Sequence, residues 1–207
     1  LEELRQRQAL AREMGGPEKI ARQRAAGRLT VRERIGALLD SGSFHEIGSI
    51  TGNGAYDETG ALQSMTPTNF LFGRGLIEGR RVVVAGDDFT VRGGASDASI
   101  IEKQVAAEQM AHELRLPMIR LIEGSGGGGS VKSLEAMGYT YVPFLPGFDH
   151  MVRNLATVPV VSLGLGPIAG FGAAEVVQMH YSLLVRGQSR MFVAGPRVVA
   201  AARLLGD

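Results

Sequence analysis

The residues best placed to do chemistry in this sequence are glycines. Gly124, Gly126, Gly127, Gly128 and Gly129 follow a short apolar run, Met118–Ile122, which Pro117 opens. A segment without proline begins at Ser130, so the stretch reads as buried strand, glycine loop and helix start. From Gly126 to Gly129 no residue carries a Cβ, and backbone N–H groups can approach a ligand closely. A helix starting near Ser130 would add free N–H groups and the positive end of its dipole. Such a loop suits something negative. A phosphate needs a ring of N–H donors with a lysine or arginine nearby. A thioester oxyanion needs two donors converging on one oxygen. The phosphate-loop pattern GxxxxGK[ST] is nearly spelled from Gly126 to Lys132-Ser133, but Val131 replaces its second glycine. The dinucleotide pattern overlays Gly124, Gly126 and Gly129, yet Pro143 to Gly147 fall where its acidic residue belongs. The remaining alternative is a flexible surface loop.

Other reactive candidates are few. Asp87-Asp88 could be a metal or acid–base pair, but no His or third acid lies close by in sequence, and a turn role fits better. His112 has no neighbouring partner and reads as structural. The chain of 207 residues has no cysteine, which excludes a disulfide framework, a Cys-zinc site and a thiol nucleophile. With 44% hydrophobic and 21% charged residues it reads as soluble and globular, and a net charge of +1 gives no case for nucleic-acid binding. The first residues, LEELRQRQALAREM, lack the apolar core of a signal peptide, so a cytoplasmic setting is expected. Asn154 to Ala174 runs 21 residues without charge, but Pro159, Pro167 and four glycines make it a buried strand entering a second loop, not a membrane span.

Several elements must position these loops. Residues 1–28 form a charge-rich helical arm divided by Gly15-Gly16-Pro17, whose arginines face solvent or hold phosphate groups. Thr30 and Glu33 spell a capping box for a helix carrying Ile35, Leu38 and Leu39, ended by Asp40-Ser41-Gly42. Phe44–Gly60 is rich in turn residues and resists assignment. Gly73–Ile77 and Arg80–Ala85 flank Glu78-Gly79 as a hairpin, with Val82, Val83 and Val84 buried on both faces. Ser96 or Asp97 caps a helix over Ala98–Leu114, with Ile100, Ala107, Ala111 and Leu114 on one face. A helix near Phe148–Ala156 precedes a second unit that begins 42 residues after the first, at Pro159. There Val160–Leu165 is a strand, Gly166 to Gly172 a glycine turn, and a helix runs to about Met179. Strands at Leu183–Val185 and Met191–Ala194 precede a last helix opened by Gly195-Pro196. Repeated strand, glycine turn and helix make a wound α/β architecture.

The motifs then become specific. Gly27-Arg28-Leu29-Thr30-Val31-Arg32-Glu33-Arg34-Ile35, with Leu38 to Phe44, resembles the N-terminal signature of acyl-CoA carboxylase carboxyltransferase (β) subunits. Asp88-Phe89-Thr90-Val91 with Gly93-Gly94 is similar to the family's DFTV-x-GG. Ser125-Gly126-Gly127 stands where the family has DSGGAR, Gly166-Pro167-x-Ala169-Gly170 where it has GPCAGG, and Met191 to Pro196 resembles its F-[IL]-x-GP segment. The likeness implies an α/β ClpP/crotonase-like superhelix of ββα units, with residues 29–207 as its core and 1–28 as the arm. It implies carboxyl transfer from carboxybiotin, carried on a separate carrier protein, to the α-carbon of an acyl-CoA ester. The backbone of Gly126 and Gly127 would form the oxyanion hole, with Gly128, Gly166, Gly170, Phe171, Gly172 and Arg28 binding substrate and no metal involved. The implied partners are acyl-CoA, a biotin carboxylase or biotin carboxyl carrier subunit, the protein's own C-terminal half, and further protomers of a homo-oligomer that is hexameric in the family. The implied location is the cytoplasm or the mitochondrial matrix. Nucleic acid and membrane are not implied partners.

The departures sit in the loops. Gly124 replaces an aspartate, Gly128-Gly129 replace Ala-Arg, and Phe171 separates two glycines of the second loop, near where an acyl chain or pantetheine would run. Two rival readings follow. Another crotonase-fold enzyme, a hydratase or decarboxylase, would need an acid beside the loops, for which Glu123 and Glu175 are the candidates. A divergent non-catalytic subunit would keep the fold alone.

Overall fold

Alternation along the strands lays down a sheet with two different faces. The structure, a computed structural model, describes residues 1–124, 126–127, 135, 138 and 147–194, with only the backbone of Asp97. The expected helices after Ser130 and after Gly195-Pro196, and Gly128, lie outside the described residues. The strands are β1 (His45–Ile47), β2 (Gly52–Tyr56), β3 (Leu62–Pro67), β4 (Phe70–Ile77), β5 (Arg80–Asp87), β6 (Met118–Gly124), β7 (Val160–Ala169), β8 (Tyr181–Leu184) and β9 (Arg190–Phe192). The helices are α1 (Glu2–Arg12), α2 (Pro17–Ala25), α3 (Val31–Leu38), α4 (Ile101–Leu114), α5 (Phe148–Leu155) and α6 (Phe171–Val177). Among the described residues the main sheet runs β1-β4-β5-β6-β7-β8, with β9 also on β7 and β2-β3 apart as a hairpin. The first three strands pair antiparallel; β5-β6, β6-β7, β7-β8 and β7-β9 are parallel.

On one face Phe70, Phe72, Val83, Ala85, Met118 and Val160 join Ala107 and Ala111 of α4 and Met151 of α5 in one core. On the other, Leu71, Val82, Val84, Ile119 and Leu121 pack on Val31 and Ile35 of α3. Val83 and Val84 are fully buried on opposite faces, each side chain worth ~1.5–3 kcal/mol of transfer free energy. The hairpin turn forms at Glu78-Gly79 as expected, with both residues at positive φ. Asp40, at the end of α3, accepts from Glu78 N–H (2.9 Å) and Gly79 N–H (2.8 Å). The Thr30/Glu33 capping box is present, and the arm divides into α1 and α2 at the expected glycines.

Three expectations shift. Phe44–Gly60 holds β1 and β2, which its turn-rich composition concealed. The helix expected from Ala98 begins at Ile101 without a side-chain cap. Asn69 Nδ2 holds Ala95 O at 2.6 Å, Ile100 N–H donates to Thr68 Oγ1 at 3.2 Å, and residues 96–98 form a 3-10 turn instead. Its buried face is Lys103, Ala107, Glu108 and Ala111, whereas Leu114 is exposed. The third shift concerns β7, which runs through Gly166-Pro167 to Ala169, because Pro167 to Ala169 pair with Arg190 to Phe192 of β9.

A buried ionic layer fastens the helices to β6. Arg120 pairs with Glu108 of α4 and, at 2.9 Å, with Glu175 of α6, and its guanidinium lies 5.9 Å from the centre of the Phe70 ring. Asn154 of α5 donates to Glu108 Oε2 at 2.8 Å. Burial works against the Arg120 charge, but Glu175, Glu108 and Asp87 outweigh it and hold its pKa above the ordinary value. Burial pushes the Asp87 carboxyl up to about 7 from 3.8; Arg120 opposes this, and Glu175 and Glu123 add to it. Between about pH 4 and 7 the unfolded chain has lost this proton while the folded chain keeps it, so this group lowers stability as pH rises. Asp87→Asn retains an acceptor for the Glu123 N–H that Asp87 Oδ2 holds at 3.2 Å. Thermal melts should show the variant gaining on the parent as pH rises from 4.5 to 8, by at least ~3 °C, the shift about 1 kcal/mol makes in a domain of this size. An equal loss at every pH would show that Asp87 is ionised and needed as a charge.

Candidate functional site

Parallel pairing brings the ends of β6 and β7 side by side. Met118 stands opposite Val160 and Ile122 opposite Gly164, after which the register slips to set Gly124 opposite Ile168. Both chains leave the sheet at one edge, into the two glycine loops. Gly126 has φ +84°, and a Cβ there would lie 2.9 Å from Ala169 O, so the position admits glycine alone. Its carbonyl accepts from Ser96 N–H at 3.2 Å, which ties the loop to the turn before α4. Gly170, also at positive φ, is the N-cap of α6 and donates its N–H to Phe192 O at 3.0 Å. A Cβ on Gly170 would lie 3.6 Å from Gly126 Cα and 3.7 Å from Gly127 N. The two loops therefore meet backbone to backbone. Among the described residues neither the Gly126 nor the Gly127 N–H has a hydrogen-bond acceptor. Two adjacent donors of this kind can hold one developing negative oxygen.

Phe171, the first residue of α6, is half exposed, its ring centre 6.2 Å from that of Phe148 on α5. Gly172 faces Ile168 and Ile122 of the core below. Gly166 lies back inside β7, and a Cβ there would come 2.1 Å from Glu123 Oε1. Its lack of a side chain is set by that carboxylate.

Glu123 is fully buried at the root of the first loop. Arg34 Nη1 lies 2.6 Å from Oε2, Gln23 Nε2 donates to the same oxygen at 2.9 Å, and Arg28 Nε makes an ionic contact of 3.1 Å with Oε1. Burial pushes this carboxyl up, while Arg34 and then Arg28 pull it down. Arg28 also lies 5.4 Å from the centre of the Phe89 ring, its side chain only 20% exposed. A phosphate at Arg28 would compete with Glu123. Arg22 and Arg24 of the same segment, paired only at the surface with Glu18 and Glu33, are 76% and 60% exposed. Surface pairs of this kind contribute roughly 0–1 kcal/mol and yield readily to a better anion.

Neither acid named as a candidate base is at liberty. Glu123 is enclosed by two arginines and Gln23, and Glu175 is paired with Arg120, its carboxyl pushed up by burial. Asp88 closes a turn by accepting from Thr90 N–H at 2.9 Å, as expected, while Asp87 reaches the Glu123 N–H. A cavity of about 390 Å³ beside α3, lined by Arg32, Ile35, Gly36, Leu39 and Phe44, touches neither loop. Sequence reasoning overlooked Arg34 and Gln23. The signal for Arg34 was there, since Val31, Arg34 and Ile35 share a helical stripe, and an arginine within an apolar stripe calls for a buried partner.

Comparison with known proteins bears on this geometry. The carboxyl transferase domain family matches residues 22–205. Propionyl-CoA carboxylase beta chain from Roseobacter denitrificans is 34% identical over 200 residues, covering 96% of this chain and 38% of the relative. Methylmalonyl-CoA decarboxylase subunit alpha from Propionigenium modestum is 31% identical over 189 residues, covering 89% of this chain and 35% of that one. The transcarboxylase 12S structure, with methylmalonyl-coenzyme A and methylmalonic acid bound, superposes with a TM-score of 0.75 at 25% identity, over 100% of this chain and 39% of its own. The chain thus spans little more than a third of the length of these relatives. The crotonase-like fold expected from the motifs is the fold observed. From the match across most of its length and the paired glycine loops, the chain belongs to the carboxyl transferase domain family.

Proposed function

We propose that this chain is the thioester-binding half of a biotin-dependent acyl-CoA carboxyltransferase. The observation that carries the reading is the meeting of the two glycine loops, with Gly126 and Gly127 N–H groups beside Gly170. Removing an α-proton from an acyl thioester puts negative charge on the carbonyl oxygen, and fixed N–H donors stabilise that charge more than the starting thioester. Carboxybiotin on its carrier would supply the carboxyl group, and the biotin left behind would take the α-proton. The chain's own part is to hold the thioester and its enolate. The engagement of Glu123 and Glu175 by arginines supports this division over a hydratase or a decarboxylase with a protein base.

In this reading Arg22 and Arg24 meet the CoA phosphates, with Arg28 behind them on Glu123, and Phe171 borders the acyl group. Gly166 and Gly172 serve the fold beneath the loops, where Glu123 Oε1 and the Ile168 side chain stand in the way of a Cβ. A C-terminal half and neighbouring protomers of a homo-oligomer complete the site, and a biotin carboxylase or carrier subunit delivers the biotin in the cytoplasm. Exposed Val177, Tyr181, Leu183 and Leu184 at the β8 edge support the need for a covering surface.

Two outcomes test the reading. In the full-length enzyme, Gly127→Val should lower kcat by roughly 100-fold, about 3 kcal/mol of barrier, with KM for the acyl-CoA little changed. Unchanged turnover in a folded variant would remove Gly127 from the oxyanion hole. Residues 1–207 alone should bind acyl-CoA in calorimetry yet show no biotin-dependent decarboxylation of malonyl-CoA or methylmalonyl-CoA until the C-terminal half is added. Turnover by the isolated chain would place both sites in this half.

A further inference from the structure

We propose that Glu123 is the positioning residue of both glycine loops, a single carboxylate that sets the distance between them. The proposal rests on the thioester reading above and adds how the donors are held. The carboxylate lies between the two loop roots. On its own strand it directly precedes Gly124, and its N–H is fixed by Asp87 at 3.2 Å. Its carbonyl and Gly124 Cα bear on Gly94, where an added Cβ would lie 2.6 and 2.9 Å from them. On the neighbouring strand, Gly166 of β7 lies against Oε1, close enough that a Cβ there would overlap it at 2.1 Å.

The second link is Arg34. One guanidinium nitrogen lies 2.6 Å from Glu123 and the other donates to Leu165 O at 3.1 Å. One planar fork therefore spans the roots of both loops, a geometry that lysine, with a single ammonium, cannot reproduce. Gln23 and Arg28 close the carboxylate from the arm. A buried charge so enclosed tolerates little displacement, because moving either loop root leaves an ion unpaired out of water. Gly126 and Gly127 lie three and four residues from Glu123, and Gly170 lies four from Gly166 and five from Leu165, so the spacing of the anchors becomes the spacing of the loops. A shift of about 1 Å in such a site costs as much as ~100-fold in rate.

Glu123→Gln keeps the shape and removes the charge. Arg34→Lys keeps the charge on Glu123 and gives up the bond to Leu165, and it serves where the first variant folds poorly. In the full-length enzyme each should lower kcat by ~10- to 100-fold with KM for acyl-CoA within about threefold, as for lost positioning of a group acting in the transition state. Hydrogen exchange supplies a readout that does not depend on turnover. Amides at Gly124, Leu165, Gly166 and Ile168 to Gly170 should exchange faster, while Val82 to Ala85 in β5 stay as protected as in the parent. Parental kcat, parental loop exchange, or exchange raised alike across the whole sheet would each overturn the proposal. A full-length parent that turns over no acyl-CoA would overturn the thioester reading instead, and loop exchange would still decide whether Glu123 holds the loops.

Discussion

Parallel pairing of β6 with β7 is the constraint on which the site depends. Parallel neighbours leave a sheet on the same side, so the two glycine loops emerge together and no long connection is needed to bring them into contact. The register slip before Gly124 lets the longer β7 strand reach past β6 and end at Ala169, against Gly126. Two backbones can meet at van der Waals distance only where side chains are absent, and at Gly126 and Gly170 they are. In the proposed reading these are backbone donors fixed before any ligand arrives, the condition under which such donors act on a transition state.

Charge is buried on both faces of the same strand. Arg120 collects Glu108 and Glu175 on the face covered by α4, α5 and α6, and Glu123 collects Arg28, Arg34 and Gln23 on the face covered by α2 and α3. Buried pairs of this kind contribute little net stability, because desolvation offsets most of the attraction. Their effect is on geometry: Glu123 Oε2 and Arg120 each take two partners from different elements, and sliding β6 by a residue would break both sets. The strand that carries the first glycine loop is thus pinned from both sides.

Much of this was legible in the residues. The Glu78-Gly79 hairpin and the Thr30/Glu33 capping box are local patterns, and each formed where its pattern stood; the second strand–glycine–helix unit formed with its strand extended to Ala169, while the helix after Ser130 lies outside the described residues. The turn role of Asp88 was legible too, from its neighbours. What stayed hidden depends on contacts distant in sequence. β1 and β2 lie in a segment of turn-forming residues and become strands through β4 and β3. The start of α4 moved because Thr68 and Asn69 claim the backbone of residues 95–100. Glu123 reads in sequence as a free acid beside a loop, and only folding shows two arginines and a glutamine around it. Gly166 reads as part of a ligand loop, yet its missing side chain answers to Glu123.

The central claim is that Gly126 and Gly127 polarise a thioester carbonyl. Infrared difference spectroscopy on the full-length enzyme, saturated with acyl-CoA isotopically labelled at the carbonyl carbon, reads that polarisation directly. The account predicts a bound C=O stretch at lower frequency than in solution, returning toward the solution value in Gly127→Val. A bound carbonyl at its solution frequency in the parent enzyme would contradict it.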